Sequence, residues 1–521
     1  MLASRKIFKY CFYGSVVFGT AIGIASYRHN QHKIENVGFV RFGRAALAAG
    51  DIVLHYKQNL YNTSLDPESI EYQKLKSKVH KEAAEKLLKL CCANKGVFIK
   101  VGQHIGALEY ILPHEYIETM RVLHSNAPSS SLKDILQVVE EELKQNPKDL
   151  FIEFSPEPMG TASLAQVHKA KLKDGRTVAV KVQHPSVKGN SLVDMATMEV
   201  LVMIASKIFP EFKIKWLVEE SRKNIPRELD FTEEVSNTMK AKEMFKHFSW
   251  LKVPDVYEDL STERVITMEF VEGGQVNDVQ YMIDNNIDPF EVSDKLGLLY
   301  SEMIFRRGYV HSDPHPGNIL VNKLPDGKAC IILLDHGLYA HLSDYVRNEY
   351  SGLWLSILDR DMNGMKKHSH ALGVGSLYAL FACMVAGRSW DSIQSGVAVT
   401  SHSVREKEDF QINAPKLLTQ IFETLALVNK ELLLILKTND LLRGIEFTLK
   451  TQNRMSSFIV MSKCCIQCVY ECKMKECNTF FSRCRNLVSE QWSLLKIMVY
   501  YFYLSLRTFT VRSAFKSVLY M

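Results

Sequence analysis

The sequence lacks a concentrated block of positive charge. Lys and Arg total 64 against 58 Asp and Glu, so the formal net charge is only +6 over 521 residues. A nucleic-acid-binding domain usually carries its basic residues clustered on one face. The dilute surplus therefore predicts that this chain has no nucleic-acid partner.

The chain also lacks low-complexity tracts and a dense cysteine framework. With 46% hydrophobic and 23% charged residues it has the composition of a folded protein, and its length predicts two or three compact units. Six of the 11 cysteines crowd between Cys464 and Cys484, where Cys464, Cys468 and Cys472 would share one helix face. Thiols lining an ordinary helix are favoured over a metal or disulfide role.

No charged residue occurs from Tyr10 to Tyr27, and the first acidic residue is Glu35. An uncharged stretch of this length suits a short membrane-spanning helix. It also fits two targeting signals, a secretory signal peptide and a mitochondrial import signal retained as an anchor. The residues alone leave both open.

From Val37 to Leu150 apolar residues recur every three to four positions, which predicts helices. The stretch "KVGQ", from Lys100 to Gln103, lies within this region. A lysine on an apolar-flanked helix is typical of a side chain that extends to solvent.

A β-hairpin is predicted in "GTASLAQVHKAKLKDGRTVAVKVQHP", where two strand patterns flank a Lys-Asp-Gly turn. In "RTVAVKVQ" the valines alternate with Ala179 and Lys181, so Lys181 and Ala179 share the other face of the strand. The alanine leaves room for a flat ring, and the ammonium could reach phosphate oxygens.

Downstream, "RELDFTEEVSN" provides Glu228, Asp230, Glu233 and Glu234 at the head of a predicted helix. These carboxylates are candidate partners of Lys181, although acids at a helix start are also favoured by the helix dipole.

The segment "HSDPHPGNILVNKLPDGKACIILLDHG" contains Asp313, Asn318 and Asp335, separated by a predicted hairpin that returns Asp335 to the side of Asn318. Asp313 and Asp335 could serve a hydrolytic metal centre together with His311, His315 and His336. The spacing is, however, that of the kinase catalytic loop and metal-binding Asp, with a lysine upstream. Phosphoryl transfer is favoured because a metallohydrolase leaves Lys181 unexplained.

The motifs "KVGQ", "GTASLAQVH", "VAVK", "ELDF" and "HSDPHPGN" occur in this order between about residue 37 and residue 450. With them the chain resembles the AarF/ADCK/UbiB family of atypical kinase-like proteins, most closely its mitochondrial branch. The resemblance implies an α+β, atypical protein-kinase-like two-lobe fold with an N-terminal helical extension and a helical C-terminal tail.

The expected organisation has five segments. A targeting or transmembrane segment covers 1–34, the helical extension with the KxGQ motif 35–150, and the kinase-like N-lobe 151–273. The kinase-like C-lobe follows at 274–450 and a cysteine-rich helical tail at 451–521.

The resemblance implies that Lys181 contacts the phosphates of ATP or ADP and also forms an ion pair with a carboxylate. Glu228 and Glu234 both remain candidates for that carboxylate. "GTASLAQ" takes the place of the Gly-rich loop of ordinary kinases, so Ala162 and Ala165 would restrict the backbone that contacts the phosphates.

By the same resemblance, Asp313 is the catalytic base, and Asn318 and Asp335 bind Mg²⁺ or Mn²⁺, ions that hard oxygen ligands suit. His311 would be a structural support, with His315 and His336 beside the ligands. The KVGQ helix would cover the active site and place Lys100 and Gln103 near the nucleotide.

The chain departs from ordinary kinases in its Asp-His-Gly triplet and in having no Ala-Pro-Glu segment after it. The Ala-Pro-Glu segment belongs to the platform on which protein kinases bind polypeptide substrates. Its absence and the helix that would cover the site both favour a small-molecule or lipid substrate over a protein. The tail "SLLKIMVYYFYLSLRTFTVR" is predicted as either a membrane-surface helix or a buried packing helix.

The predicted function is that of a membrane-anchored atypical kinase or ATPase, an ATP-dependent enzyme acting in mitochondrial lipid or membrane homeostasis. The alternatives are a pseudokinase scaffold that binds nucleotide and regulates partners, and a Ser/Thr protein kinase. The expected location is the mitochondrial inner membrane, with the secretory pathway as the alternative and mitochondrial membrane proteins as candidate partners.

Overall fold

The computed structural model describes residues 38–67, 69–106, 112–125, 128–208, 215–395, 428, 430–451 and 456–519. The chain divides into two compact units. The first comprises the residues up to Ser236 together with Asp255–Phe270, and the second comprises Asn237–Pro254 and the chain from Val271 onward. The predicted span at Tyr10–Tyr27 lies outside the described residues.

Helices dominate both units. In chain order they are α1 (Gly38–Tyr56), α2 (Ile70–Asn94), α3 (Val97–Gly106), α4 (His114–Ser125), α5 (Leu132–Leu143), α6 (Pro147–Leu150), α7 (Val187–Ile208), α8 (Lys215–Glu228), α9 (Phe231–Met244), α10 (Val279–Asp284), α11 (Pro289–Ser301), α12 (Asp344–Asp359), α13 (Met362–Ala371), α14 (Tyr378–Ala386), α15 (Trp390–Ser395), α16 (Lys430–Thr448), α17 (Ser456–Lys475) and α18 (Phe480–Leu519).

The strands are short. They are β1 (Phe151–Phe154), β2 (Gly160–Thr161), β3 (Ala165–Leu172), β4 (Thr177–Gln183), β5 (Leu251–Lys252), β6 (Val265–Glu269), β7 (Gly274–Gln275), β8 (Tyr309–His311), β9 (Ile319–Lys323), β10 (Ala329–Leu333) and β11 (Tyr339–His341).

Helix starts follow the local sequence. Ser69 and Ser131 lie just before α2 and α5, and their hydroxyls accept the backbone N–H of Tyr72 and Asp134. Such a cap satisfies one of the amides that the first turn leaves without a helical partner. The helices predicted over 37–150 are therefore present in the described part of that region.

The first unit contains an antiparallel sheet in the order β1-β3-β4-β6, with β2 paired to β3. The predicted hairpin is β3 and β4. Val178, Val180 and Val182 are fully buried, in one apolar cluster with residues of α5. The period-2 assignment of this strand is confirmed, because the valine face forms the core of the sheet.

A buried ion pair joins α1 to α7. Arg41 contacts Asp194 through Nε at 2.7 Å, and the two side chains are 4% and 1% exposed. Burial raises the pKa of Asp194, which the guanidinium opposes. Removing either partner of such a pair leaves an unpaired buried charge and costs about 3–5 kcal/mol. This pair therefore holds the first helix against the rest of the unit.

Helix α3 carries the KVGQ sequence and packs into the core of the first unit. Val97, Phe98 and Ile99 are buried in one cluster with Leu123 of α4. A Cβ on Gly102 would lie 2.4 Å from Cδ1 of Leu123, so α3 and α4 approach too closely for a larger residue.

The second unit has a sheet in the order β5-β10-β9-β7 and a separate pair β11-β8. The β9–β10 hairpin is antiparallel, with Leu333 opposite Ile319. The core of this unit surrounds fully buried aromatic residues such as Tyr350 and Phe381. The predicted α+β class with helices at both ends is confirmed, whereas the five predicted segment boundaries stay a prediction.

The cysteine cluster lies on α17. Cys464, Cys465 and Cys468 are buried free thiols, whereas Cys472 is half-buried. Burial raises the pKa of Cys464 and Cys468 to about 11, so both are protonated hydrophobes at neutral pH. Cys464, Cys468 and Cys472 thus lie on one helix, whereas the absence of a metal or disulfide role stays a prediction.

None of the helices within the described ranges is both long and apolar enough to span a membrane.

Candidate functional site

Lys181 occupies the middle of β4 and forms an ion pair in the first unit. Its Nζ donates to both carboxylate oxygens of Glu234, at 2.8 and 2.9 Å. The side chains are 12% and 6% exposed, and the ammonium lies 5.2 Å from the centre of the Phe231 ring. Of the two predicted partners, the structure therefore places Glu234 against Lys181.

Glu234 lies in the first turn of α9, where the helix dipole stabilises negative charge. Asp230 precedes this helix, and its Oδ1 accepts the backbone N–H and the hydroxyl of Thr232. These bonds separate α9 from the preceding helix, so Glu228 is the last residue of α8. The prediction of one helix headed by both glutamates is wrong for this reason.

Glu228 pairs with the lysine of the KVGQ sequence. Lys100 Nζ lies 2.6 Å from Glu228 Oε2, and the side chains are 19% and 11% exposed. The other oxygen of Glu228 is buried and has no hydrogen-bond partner within the described parts of the chain. Lys100 is thus an ion-pair residue and not the solvent-directed lysine that its isolated context suggested.

Gln103, three residues further along α3, donates through Nε2 to the backbone oxygen of Leu123 at 2.9 Å. This bond and the close approach at Gly102 set the position of α3 against α4. Packing of α3 therefore fixes the place from which Lys100 extends.

The loop before β3 is a tight turn. The amide of Ala162 donates to the carbonyl of Ala165 at 2.8 Å, and the His184 Nε2 lies 3.1 Å from the carbonyl of Ala162. Ala162 is exposed, whereas Ala165 is buried in a cluster with Phe231 and Ile266. Phosphate contact by this loop stays a prediction.

Three of the predicted residues come together in the second unit. Asn318 Nδ2 donates to the backbone oxygen of Asp313 at 3.1 Å and approaches its carboxylate at 3.4 Å. The amide of Leu334 donates to the carbonyl of Asn318 at 2.8 Å, which brings the β9–β10 hairpin back to Asp335. The predicted return of Asp335 to the side of Asn318 is confirmed.

Asp335 has a φ of 51°, in the left-handed region that residues other than glycine rarely occupy. The fully buried His311 holds this conformation, because its Nε2 lies 2.8 Å from the carbonyl of Asp335. A carbonyl can only accept, so Nε2 carries the proton and Nδ1 accepts from the Tyr300 hydroxyl at 3.1 Å. His311 is a support for the backbone of Asp335.

His336 also contacts protein groups through both of its ring nitrogens. Its Nε2 lies 3.1 Å from the carbonyl of Leu333, and its Nδ1 lies 2.8 Å from the hydroxyl of Tyr339. Both rings nearest to Asp335 thus bond protein groups through both nitrogens. Within the described ranges, no group of three or more His, Cys, Asp and Glu side chains is arranged to hold a metal ion.

Lys437 of α16 is a residue that sequence reasoning missed. Its Nζ donates to Oδ1 of Asp313 at 2.9 Å, and both side chains are about one-third exposed, at 28% and 32%. Burial lowers the pKa of the neighbouring His315, which Asp313 opposes and Lys437 reinforces. No local pattern signals this lysine, because its partner Asp313 lies 124 positions away in the sequence.

The donor set of Asp335 and Asn318 fits a hard cation. Asp335 provides carboxylate oxygens and Asn318 an amide oxygen, the ligands that Mg²⁺ and Mn²⁺ prefer. Because Nδ2 of Asn318 faces Asp313, its Oδ1 is the atom suited to a cation.

The burial of His311 makes stability dependent on pH. Burial lowers the pKa of His311, so below about pH 6.5 the unfolded chain binds a proton that the folded chain does not. The free energy of unfolding therefore decreases as the pH decreases. Replacing His311→Asn should flatten the stability profile between about pH 5 and pH 7 by up to about 1.4 kcal/mol per pH unit. Urea titrations at each pH measure this slope.

The matched control is Tyr300→Phe, which removes the hydroxyl that donates to His311 and keeps the titrating ring. It should retain the slope of the unsubstituted chain. Equal slopes for His311→Asn and the unsubstituted chain would show that His311 takes up its proton equally in both states.

Comparisons with known proteins identify the family of this chain. The family model of the ABC1 atypical kinase-like domain matches residues 122–369. AarF domain-containing kinase 1 of Drosophila melanogaster is 53% identical over 510 residues, covering 97% of this chain and 98% of that protein. AarF domain-containing protein kinase 1 of Mus musculus is 49% identical and covers 97% of this chain and 96% of its own. The Gallus gallus protein of that name is 50% identical, with 94% of each chain covered. The kinase-like fold is confirmed, and this chain belongs to the family of AarF domain-containing, ABC1 atypical kinase-like proteins.

Proposed function

We propose that this chain is an ATP-dependent atypical kinase or ATPase that uses Mg²⁺ or Mn²⁺. The ion pair of Lys181 and Glu234 carries the proposal. A lysine on a central strand, held by a carboxylate at the start of a helix, is the arrangement by which kinases present an ammonium to nucleotide phosphates. Burying two charges costs desolvation free energy, so the presence of this pair inside the unit favours a functional role.

The residues of the second unit supply the complementary chemistry in this proposal. Asp313 would accept the proton of the attacking hydroxyl or water, and Asn318 and Asp335 would hold the metal ion through their oxygen atoms. A bound cation would neutralise charge on the phosphate oxygens. His311 keeps the carboxylate of Asp335 in place by holding its backbone.

Lys437 acts on Asp313 in the same proposal. Its ammonium orients the carboxylate through Oδ1 and leaves the other oxygen, near Asn318, to take the proton. A flexible ammonium at this position can also contact a phosphoryl group during transfer.

The contact between Lys437 and Asp313 also favours a second function. The ion pair occupies one oxygen of Asp313, which suits a pseudokinase scaffold that binds nucleotide without turnover. The two functions predict the same nucleotide affinity and differ only in the release of phosphate or a phosphorylated product. A Ser/Thr protein kinase ranks behind both, because the sequence lacks the Ala-Pro-Glu segment of a polypeptide platform.

The proposed setting is a mitochondrial membrane, with a lipid or small-molecule substrate. A fusion of residues 1–35 to a soluble reporter should reach mitochondria and resist alkaline carbonate extraction, because an uncharged apolar segment with cationic flanks is held by a bilayer. Fractionation and extraction measure this outcome. Recovery of the reporter in the secretory pathway would contradict the mitochondrial setting.

Nucleotide binding is tested by thermal shift of the protein with ATP, with and without Mg²⁺. A ligand that binds only the folded state stabilises it by about 2.7 kcal/mol at a hundredfold excess over Kd. We expect a metal-dependent increase in Tm that Asp335→Asn largely abolishes. Phosphate release in the same samples separates the enzyme from the scaffold.

The control variant is Asp326→Asn, which changes an exposed carboxylate in the turn between β9 and β10. It should keep the full shift. An undiminished shift without metal, or in Asp335→Asn, would remove Asp335 from the proposed metal site.

The role of Lys100 is tested separately. Lys100→Ala removes the ammonium from Glu228 and leaves a carboxylate without its partner where charges are poorly screened. We expect ATP or ADP affinity and turnover to change several-fold while the fold survives. Lys89→Ala, an exposed change on α2, should alter neither quantity. Unchanged nucleotide affinity and turnover rate in Lys100→Ala would show that the KVGQ helix has only a structural role.

A further inference from the structure

The first half of α18 exposes its largest apolar side chains. Phe481 is 87% exposed, Val488 69% and Trp492 58%, and Leu487, Leu495 and Met498 are also exposed. Four of these residues, Leu487, Val488, Trp492 and Leu495, line an apolar groove along the helix together with Gln491. An apolar surface that is continuous over several turns usually marks a contact with a partner or a membrane.

These side chains occupy one face. At about 100° per residue, all positions from Phe480 to Val499 that are large, apolar and exposed fall within an arc of roughly 140°. Gln491 and Cys484 are the other residues in this arc. We call this arc the apolar face of α18.

The opposite face of α18 packs on the protein. Ser493 Oγ lies 3.4 Å from the hydroxyl of Tyr470 on α17, and Asn486 Nδ2 donates to Sγ of Cys477 at 3.1 Å. A surface helix of a water-soluble domain usually buries its apolar stripe and exposes its polar one. Here polar side chains make contacts on the packed side, and the apolar face is left exposed.

The charges beside the apolar face are positive. Arg485 and Lys496 lie beyond one edge and Arg483 beyond the other, and all three are exposed. The Lys496 ammonium lies 5.9 Å from the centre of the Trp492 ring. Glu490, the acidic residue of this stretch, lies on the side that packs on the protein and is half-buried. Cations beside an apolar face with an edge tryptophan are characteristic of helices that lie on anionic bilayers.

We propose that the apolar face of α18 lies on the surface of an anionic lipid bilayer, with Arg483, Arg485 and Lys496 contacting lipid phosphates. A second copy of the chain is a poorer occupant. A symmetric pairing of this face brings the same cations together without acids to oppose them. The proposal does not depend on nucleotide binding, since it concerns a helix remote in sequence from every proposed catalytic residue.

Photo-crosslinking of the full chain tests the proposal. The photoreactive residue p-benzoylphenylalanine replaces Val488 on the apolar face or, as the control, Ser489 on the packed side of the same helix. Each protein is reconstituted in phosphatidylcholine vesicles with and without phosphatidylglycerol. We expect several-fold more lipid adducts from position 488 than from position 489, and more with phosphatidylglycerol present.

The charges are tested in the same vesicles. Combining Arg483→Gln, Arg485→Gln and Lys496→Gln should reduce lipid adducts from position 488 several-fold with phosphatidylglycerol and leave the yield in pure phosphatidylcholine unchanged. The three side chains are exposed, so Tm should be unaffected.

Several outcomes would overturn the proposal. Adducts of position 488 with a second copy of the chain would assign the face to self-association. Adducts with other segments of the same chain would assign it to intramolecular packing. Equal lipid labelling from positions 488 and 489, or none from either, would show that this face does not lie on lipid. An unchanged ATP-dependent Tm in any of these cases leaves the nucleotide proposal standing.

Discussion

The pairing of Lys181 with Glu234 is the interaction on which the arrangement of the first unit depends. Both side chains are nearly buried, and each provides the charge that makes the other tolerable there. Losing one partner of such a pair costs about 3–5 kcal/mol, which is a large fraction of the stability of a domain. The position of α9 against the central strand is therefore tied to the residue that is proposed to contact phosphate.

The same principle recurs at the KVGQ helix. Lys100 and Glu228 form a second lysine-carboxylate pair within the first unit, separate from the first. Residues Leu229 and Asp230 divide the two helices that carry the glutamates, so each carboxylate meets its own lysine. One short stretch of sequence thus supplies the carboxylate partners of two lysines, Lys100 and Lys181.

In the second unit, two buried histidines support the segment around Asp335. His311 and His336 are buried, and each uses both ring nitrogens to hold backbone and tyrosine groups around Asp335. This support accounts for the left-handed backbone of Asp335, a conformation that persists only where its surroundings determine it. The chemistry proposed for the carboxylate therefore rests on groups that take no part in it.

Local patterns in the sequence determined the two hairpins, the face of β4 that carries Lys181, and the return of Asp335 to Asn318, because strand periodicity and turn residues act over a few positions. The N-terminal helices and the thiol-lined helix followed from periodicity in the same way. Only the tertiary structure decided that Glu234 faces Lys181, that Glu228 faces Lys100, and that Lys437 contacts Asp313 from 124 positions away. It also decided that α18 turns its apolar face outward. Such pairings arise from packing between elements distant along the chain, which no local period encodes.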